Sequence, residues 1–406
     1  MDGARALLAD PPLAALLSAL DRDGEEARVV GGAVRDALLG APVSDVDVCT
    51  TATPDEVERR VKALRWKAAP TGVEHGTWTV VIEGRAFEVT TLREDVETFG
   101  RKAIVRFGRD FRADALRRDF TINALSLDRG GRVHDYAGGL DDLAARRVRF
   151  IGDPAQRIRE DYLRILRLLR FHARFARGPI DREAMAAAIA AREGLDSLSR
   201  ERVRAEIVKL LVAPEAAATL AQAEGAGLLL RLSARRRGSG GSRRLAAREG
   251  DPPDATLRLG ALAVETAEDA ARLRERLRLS NEEHDRLDQA ARFAARLRGR
   301  DAPDGDGLKE ALYRVGRRAA QDGLTLAWLD AAPERRPGFA AALAALPDVV
   351  APQAPFCGDD LMARGVAAGR RLGATLKAAQ AAWIRAGFPS DPGVLAQLLD
   401  RAAEQA

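Results

Sequence analysis

Residues 29–52 read VVGGAVRDALLGAPVSDVDVCTTA, and the reading of this stretch decides the fold. Val29 and Val30 end the short apolar segment ARVV, which reads as a strand. Gly31 and Gly32 make a turn, and AVRDALLG is a short helix stopped at Gly40. VDVCT then returns as a second strand, with Asp45 and Asp47 set among valines. On a strand, residues i and i+2 point to one face, so both carboxylates are expected on the same side with Val46 and Val48 behind them. Like charges that close repel each other unless a cation sits between them, and carboxylate oxygens suit a hard divalent ion such as Mg²⁺. Taken alone, Asp-Val-Asp also describes a solvated strand end after a loop. The paired glycines weigh the other way. At a helix N-terminus they expose backbone N–H groups and, lacking Cβ, leave room for phosphate, with Arg35 one turn into the helix. A phosphate cradle followed by a carboxylate pair is a nucleotidyl-transfer arrangement.

Outward from this stretch, residues 1–25 form a helical lead-in around LAALLSAL. TPDEVERRVKAL begins with Thr53, Pro54 and Glu56, the spacing of a capping box at a helix start. TWTVVI, EG and RAFEVTTL read as a hairpin. The alternation describes a mixed α/β domain ending near residue 150. From Pro154 onward helical periodicity is almost continuous and no convincing strand is found, with candidate helices over 155–175, 182–193, 199–212 and 214–229. Residues 233–254, SARRRGSGGSRRLAAREGDPPD, break that periodicity and read as a mobile loop or linker. Further helices follow to the C-terminus, and no internal repeat is evident.

Two more stretches carry chemistry. In LRRDFTINALSLD, residues 116–128, adjacent arginines and an aspartate precede an apolar turn with Asn123. Arginine suits triphosphate oxygens and asparagine a ribose hydroxyl, although a salt-bridged helix start reads equally well. In IGDPAQRIREDYLRILRLLRFHARF, residues 151–175, Asp153 and Pro154 mark a helix start, and Ile158, Leu166 and Leu169 belong to its buried side. Asp161, Arg164, Arg167 and Arg170 recur every three residues as a slowly drifting stripe. In isolation that is an ordinary basic amphipathic helix.

Composition bounds the possibilities. The 406 residues are enough for two or three domains with a real core, and 46% hydrophobic residues is the share of a soluble globular chain. A net charge of +5 mildly favours an acidic partner such as nucleic acid. Cys49 and Cys357 are the only cysteines and lie far apart, which indicates neither a disulfide framework nor a thiolate metal site. No secretory signal pattern opens the chain and no apolar run is long enough to span a membrane, so a cytoplasmic location is expected. His284-Asp285 is a decoy for a metal phosphohydrolase, because the four histidines, His75, His134, His172 and His284, are scattered. LSNEEHDRL reads instead as a helix capped by Ser280 with Glu283 as box partner. Trp328 and Trp383 read as core, and the arginine clusters at 235–237 and 243–244 as solvated.

Together GGAVRDALLG…SDVDVCT, RRDFTINAL and GDPAQRIREDYLRILRLLRF resemble the motifs of class II CCA-adding enzymes, tRNA nucleotidyltransferases that share a superfamily with bacterial poly(A) polymerases. The order and spacing match over roughly residues 25–230. LREDVETFGRKAIVRFGRDFRADALRRDF also resembles the family's flexible loop and its lead into the second motif, with Phe99-Gly100-Arg101 where Asp-Gly-Arg is common. The resemblance implies an α+β fold: a mixed α/β nucleotidyltransferase head (1–150), an all-α neck with the nucleotide-selecting helix (151–230), a loop or linker (231–255), and a helical, tRNA-binding body and tail (256–406). It implies that Asp45 and Asp47, with Glu88 as candidate third carboxylate, bind two Mg²⁺. Gly32, Arg35 and Arg118, with Arg117 beside it, would contact the nucleotide. Asp161 and Arg164 would read the incoming base without a nucleic-acid template, and Arg167 and Arg170 would add contacts on the same helix. The implied substrates are tRNA, CTP and ATP, with neither a membrane nor a protein partner. The alternatives are a poly(A) polymerase, a specialist adding only CC or only A, and an RNA-binding protein with a dead transferase head.

Overall fold

The computed structural model describes residues 2–72, 76–99, 102–229, 238–248, 250 and 252–405. The chain divides into two compact units, Met1–Leu232 and Ser233–Ala406. The expected head and neck both fall within the first, and the division lies inside the stretch expected as a linker.

The first unit runs α1 (Asp2–Leu8), α2 (Pro11–Leu20), β1 (Ala27–Val30), α3 (Gly32–Leu38), β2 (Asp47–Thr50), α4 (Pro54–Ala63), β3 (Lys67–Gly72), β4 (Thr77–Ile82) and β5 (Arg85–Thr91). It continues with β6 (Arg93–Phe99), β7 (Lys102–Phe107), α5 (Phe111–Leu116), β8 (Ser126–Asp128), β9 (Val133–His134) and α6 (Gly139–Ala144). Seven strands form one sheet in the order β3-β4-β5-β2-β1-β8-β9, and β6-β7 is a separate hairpin. Only β2-β5 is parallel; its register sets Asp47 beside Glu88. β1, buried along its whole length, pairs Val30 with Asp47 on one side and with Ser126 on the other. The expected β4-β5 hairpin is present, its Glu83-Gly84 turn held at φ 50° and 81°, the left-handed pair that suits two-residue hairpins. The strands β3 and β6 to β9 were not foreseen. The departure of the expected loop from the family pattern falls at Phe99, the last residue of β6, and the Gly100-Arg101 that follow lie outside the described residues.

The helix start at Thr53 is only half of the expected box. Thr53 Oγ1 accepts from Glu56 N at 3.4 Å, but the Glu56 carboxylate turns to Arg59 and Arg60. Arg60 explains the choice. The residue is 1% exposed, and its Nη1 donates to the carbonyls of Leu20 (3.0 Å), Arg22 (3.2 Å) and Ala19 (3.3 Å). It thereby satisfies the C-terminal carbonyls of α2, which no helical N–H reaches.

The helical part of this unit comprises α7 (Pro154–Glu160), α8 (Leu163–Phe175), α9 (Arg182–Ala190), α10 (Arg200–Leu211) and α11 (Ala216–Gly225). Asp153 caps α7 as expected, accepting from Ala155 N and Gln156 N. The helix expected over 155–175 is not continuous. It breaks at Asp161, whose extended backbone (φ −156°, ψ 109°) ends α7.

The second unit comprises α12 (Gly238–Ala246), α13 (Ala255–Ala263), α14 (Ala267–Leu277), α15 (Asn281–Leu297), α16 (Gly305–Asp330), α17 (Arg336–Ala345), α18 (Gly358–Met362), α19 (Arg370–Arg385) and α20 (Pro392–Glu404). Among the described residues no strand follows Pro154. The helix α12 lies within the stretch expected as loop. Its glycines and serines disfavour a helix, but packing overrides propensity: a Cβ on Gly241 would lie 2.6 Å from the Ala261 carbonyl oxygen, and Leu245 is buried in the core. The cap of α15 is the expected Ser280–Glu283 box. Trp383 is core, buried edge-on among Tyr313, Phe356 and Phe388, and Trp328 packs against the neighbouring core. The helix α16 kinks at Gly316 (φ 76°, ψ 167°), a conformation that favours glycine.

Candidate active site

Gly31, between β1 and α3, adopts φ 71° and ψ −127°, and a Cβ there would lie 2.9 Å from Arg118 Nη1. Both backbone and space require glycine. One turn on, Arg35 is 6% exposed. Its Nε donates to Asp36 Oδ1 at 2.9 Å, its Nη1 to Asn123 Oδ1 at 2.5 Å, and its guanidinium lies 3.9 Å from the Phe175 ring centre. Burial, with Arg174 and Arg170 nearby, holds that guanidinium below its ordinary value despite Asp36.

Asp47 opens β2, whereas Asp45 precedes the strand and is not part of it. The inward–outward alternation nevertheless extends back through Asp45: Val46 and Val48 are buried and both aspartates face outward. The two aspartates therefore share one side although the strand itself begins only at Asp47. Withdrawal from water, then the Glu88 and Asp45 charges, push the Asp47 carboxyl above its ordinary range against the pull of Arg118. These are oxygen donors with surplus negative charge, which fits a hard divalent cation. Among the described residues no group of three His, Cys, Asp or Glu that could hold a metal ion is present.

The turn after α5 supplies the floor. Asp114, 3% exposed, accepts from Arg118 Nε (3.2 Å) and Nη2 (3.0 Å) and pairs with Arg117. Burial opposes the Arg118 charge, but Cys49, Asp114 and Asp47 together hold its guanidinium above the ordinary value. Asp119 joins three elements: its Oδ1 accepts from Phe120 N (2.9 Å) and Asn123 Nδ2 (3.1 Å), and its Oδ2 from Arg167 Nε (2.7 Å) on α8.

The side chains of Asp161 and Arg164, the expected base readers, are each held by other partners in this structure, while Arg164 N donates to the Asp161 carbonyl at 3.0 Å. Asp161 Oδ2 accepts from Arg202 Nη2 of α10 at 2.5 Å, and its Oδ1 from Leu163 N at 3.1 Å. Arg164 Nη1 donates to the Arg157 carbonyl at 2.7 Å and pairs with Glu160. Arg170 Nε lies 2.6 Å from Glu206 Oε2 of α10, without hydrogen-bond geometry. Burial and Arg167 hold Arg170 below its ordinary value against Glu206.

These groups line one cavity of about 1160 Å³. Of the residues expected to act, Gly32, Arg35, Asp45, Asp47, Arg117, Arg118, Asp161, Arg164, Arg167 and Arg170 all line it. Glu88 does not; it stands beside Asp47 in the sheet. The sequence reading did not commit to Asp119, Arg146, Arg174, Arg202 or Lys209, which line it too. The i, i+4 spacing of Arg202 and Glu206 was the available signal, and it reads as an ordinary surface pair until α8 is placed against it. Ten cationic side chains face four carboxylates across the cavity. The anions crowd at Asp45 and Asp47, and the cations gather around α8.

Residues 27–149 match the model of the Poly A polymerase head domain, and residues 179–232 that of the probable RNA and SrmB-binding site of polymerase A. The CCA-adding enzyme of Limosilactobacillus fermentum is 33% identical over 370 residues, 90% of each chain. Human mitochondrial CCA tRNA nucleotidyltransferase 1 is 43% identical over 194 residues, 47% of this chain and 45% of that one. The match thus spans about half the length of this curated relative, and the same holds for the mouse protein at 46%. Among solved structures, the Bacillus stearothermophilus CCA-adding enzyme in complex with CTP superposes with a TM-score of 0.72 at 29% identity, covering 97% of this chain and 98% of that one. The Thermotoga maritima CCA-adding enzyme complexed with tRNA superposes at 0.70 with 19% identity, covering 98% of each chain, a likeness of fold. Sheet, glycine turn and cavity define a nucleotidyltransferase of the poly(A) polymerase head class, enzymes that depend on a metal ion. The chain belongs to the family of CCA-adding enzymes.

Proposed function

We propose that this protein adds or repairs the 3′-terminal CCA of tRNA, using CTP and ATP with Mg²⁺ and no nucleic-acid template. The observation that carries the reading is the opposite crowding of charge in one cavity. Carboxylates that repel one another sit together with arginines that burial and like charge destabilise. A nucleoside triphosphate with its metal answers both, because its phosphates meet the arginines and its cation meets Asp45 and Asp47. Bound there, Mg²⁺ would neutralise phosphate charge and favour ionisation of the attacking 3′-hydroxyl.

The protein's own groups position and select. The turn at Gly31 and Gly32 leaves space for phosphate, and Arg35 and Arg118 supply fixed positive charge. Asp161 and Arg164 read the base. Cytosine and adenine each present an amino donor beside a ring-nitrogen acceptor, which a carboxylate and a guanidinium complement. Uracil and guanine present a carbonyl beside an N–H, so both contacts fail and buried polar groups are left unpaired. Arg202 and Glu160 hold the two readers in place before a nucleotide arrives. Glu88 would reach the metal only as a further carboxylate beside Asp47.

The test supplies the full chain with labelled tRNA lacking CCA, and with each NTP singly and in pairs. Addition of two C residues from CTP, then one A when ATP is present, is the expected result. A long A tract would establish a poly(A) polymerase. Products stopping at CC, or A added only to tRNA ending in CC, would establish a specialist, and no product at all a tRNA-binding protein without transferase activity. A cytoplasmic location is part of the proposal; among the described residues no helix is long and apolar enough to cross a membrane.

A further inference from the structure

Local sequence explains only part of the break between α7 and α8. Residues 157–166, RIREDYLRIL, contain neither glycine nor proline, and Asp161 acts as a capping residue, its Oδ1 accepting from Leu163 N at 3.1 Å. Tertiary contacts also bear on the break, and one of them lies outside the cavity. Tyr162, the first residue after Asp161, caps α8 at φ −60° and ψ −16°. Its ring lies so close to Gly194, in the short 3₁₀ segment Arg192–Ser197, that a Cβ on Gly194 would stand 2.1 Å from Cδ1, 2.3 Å from Cε1 and 2.3 Å from Cγ. The backbone of Gly194 is not left-handed, so the ring alone demands glycine. Cγ is one bond from Tyr162 Cβ, so the ring cannot escape by swinging its tip. Either χ1 must turn or the backbone beside Asp161 must move.

The two ends of the break are tied to base selection. Arg164 Nη1 takes the Arg157 carbonyl, which Asp161 N would bond in an unbroken helix. Asp161 is held from the far side by Arg202. We propose that Gly194 and the Tyr162 ring form the stop that sets where Asp161 and Arg164 stand, making Gly194 a specificity-determining position although it touches no nucleotide. This rests on Asp161 and Arg164 reading the base. A shift of about 1 Å in such a pair is enough to cost one to two orders of magnitude in transition-state contacts.

The experiment measures kcat/KM for CTP and for UTP on tRNA lacking CCA, with the full chain and Mg²⁺, beside thermal melting. Gly194→Ala and Tyr162→Ala are each expected to lower the preference for CTP by about tenfold or more, whereas Tyr162→Phe, which keeps the ring, leaves it unchanged. The double variant Gly194→Ala/Tyr162→Ala should be no worse than Tyr162→Ala, because the added methyl then has no ring to strike. Should Gly194→Ala fail to fold, Tyr162→Ala and Tyr162→Phe decide alone. An unchanged preference in the folded variants that remove or displace the ring, or strictly additive losses, overturns the proposal. Asp161→Ala is measured in parallel. If it too leaves the preference unchanged, base reading by this helix fails; if it alone collapses the preference, only the role of Gly194 fails.

Discussion

Asp47 carries a conflict that a bound cation would relieve. Withdrawal from water, then the Glu88 and Asp45 charges, raise its carboxyl, so its charge destabilises the metal-free protein at neutral pH. For an acid whose folded value lies above the unfolded one, the folded state binds more protons and stability falls as pH rises through that value. Asp47→Asn should therefore raise the melting temperature in chelator while abolishing nucleotide addition, and Asp45→Ala should abolish addition with tRNA binding retained. Near-normal transfer by either variant at saturating Mg²⁺ would end the assignment of a metal to these residues. Asp161→Ala should shrink the preference for CTP over UTP by about 10²-fold, from the loss of a buried contact, and an unchanged ratio would return it to a structural role. Asp142 behaves in the opposite sense from Asp47. Burial works against its charge, yet Arg149, Thr121 and Arg147 hold its carboxyl below the ordinary range. It is 0% exposed, and Thr121 Oγ1 donates to it at 2.6 Å. Its stabilisation is complete above the unfolded value, about pH 4, and is lost as pH falls through the lower folded value. Asp142→Asn should cost about 3 kcal/mol at pH 7, with the gap to the parent protein narrowing on acidification. Urea melts at pH 7 and pH 3 check both statements.

At the scale of elements, Arg60 joins α4 to the end of α2. Arg60→Met keeps length and apolar bulk but strips the carbonyls of Ala19, Leu20 and Arg22 of their donor. The expected loss is about 3 kcal/mol, read as a lower denaturation midpoint with an unchanged slope. What the sequence disclosed at this scale was whatever local chemistry decides. Ser280 and Asp153 capped as their spacing required, and Glu83-Gly84 turned as a hairpin must. What it hid was decided elsewhere in the chain. Glu56 left its capping role because a buried arginine lay within reach. The helix α12 formed from a glycine- and serine-rich stretch because Leu245 had a core to enter. The break at Asp161 is held by Arg202 and stands next to the contact of Tyr162 with Gly194, both partners more than thirty residues away. Of the candidate site, the sequence disclosed ten residues that come together to line one cavity, because metal and phosphate chemistry would confine residue types tightly. Glu88 missed the lining since a neighbouring strand can place a side chain beside the centre without facing the cavity.

For the molecule as a whole, charge is the property that any nucleic-acid partner meets first. With a net charge of +5 and a cavity rich in arginine, binding of tRNA should weaken steeply with salt. Each phosphate neutralised contributes about −0.9 to the slope of log K against log salt on a duplex. Filter binding between low and physiological salt should give a slope of several units, and a slope near zero would rule out an electrostatic grip. A different kind of consequence follows from Arg164. The guanidinium proposed to read the incoming base also closes the end of α7 through the Arg157 carbonyl. On that reading, fidelity and folding draw on one side chain. A lineage, or a directed-evolution library, seeking a new base preference at this position would first be filtered for replacements that still donate to that carbonyl. The repertoire of reachable alphabets is narrowed by helix termination before any nucleotide is tested.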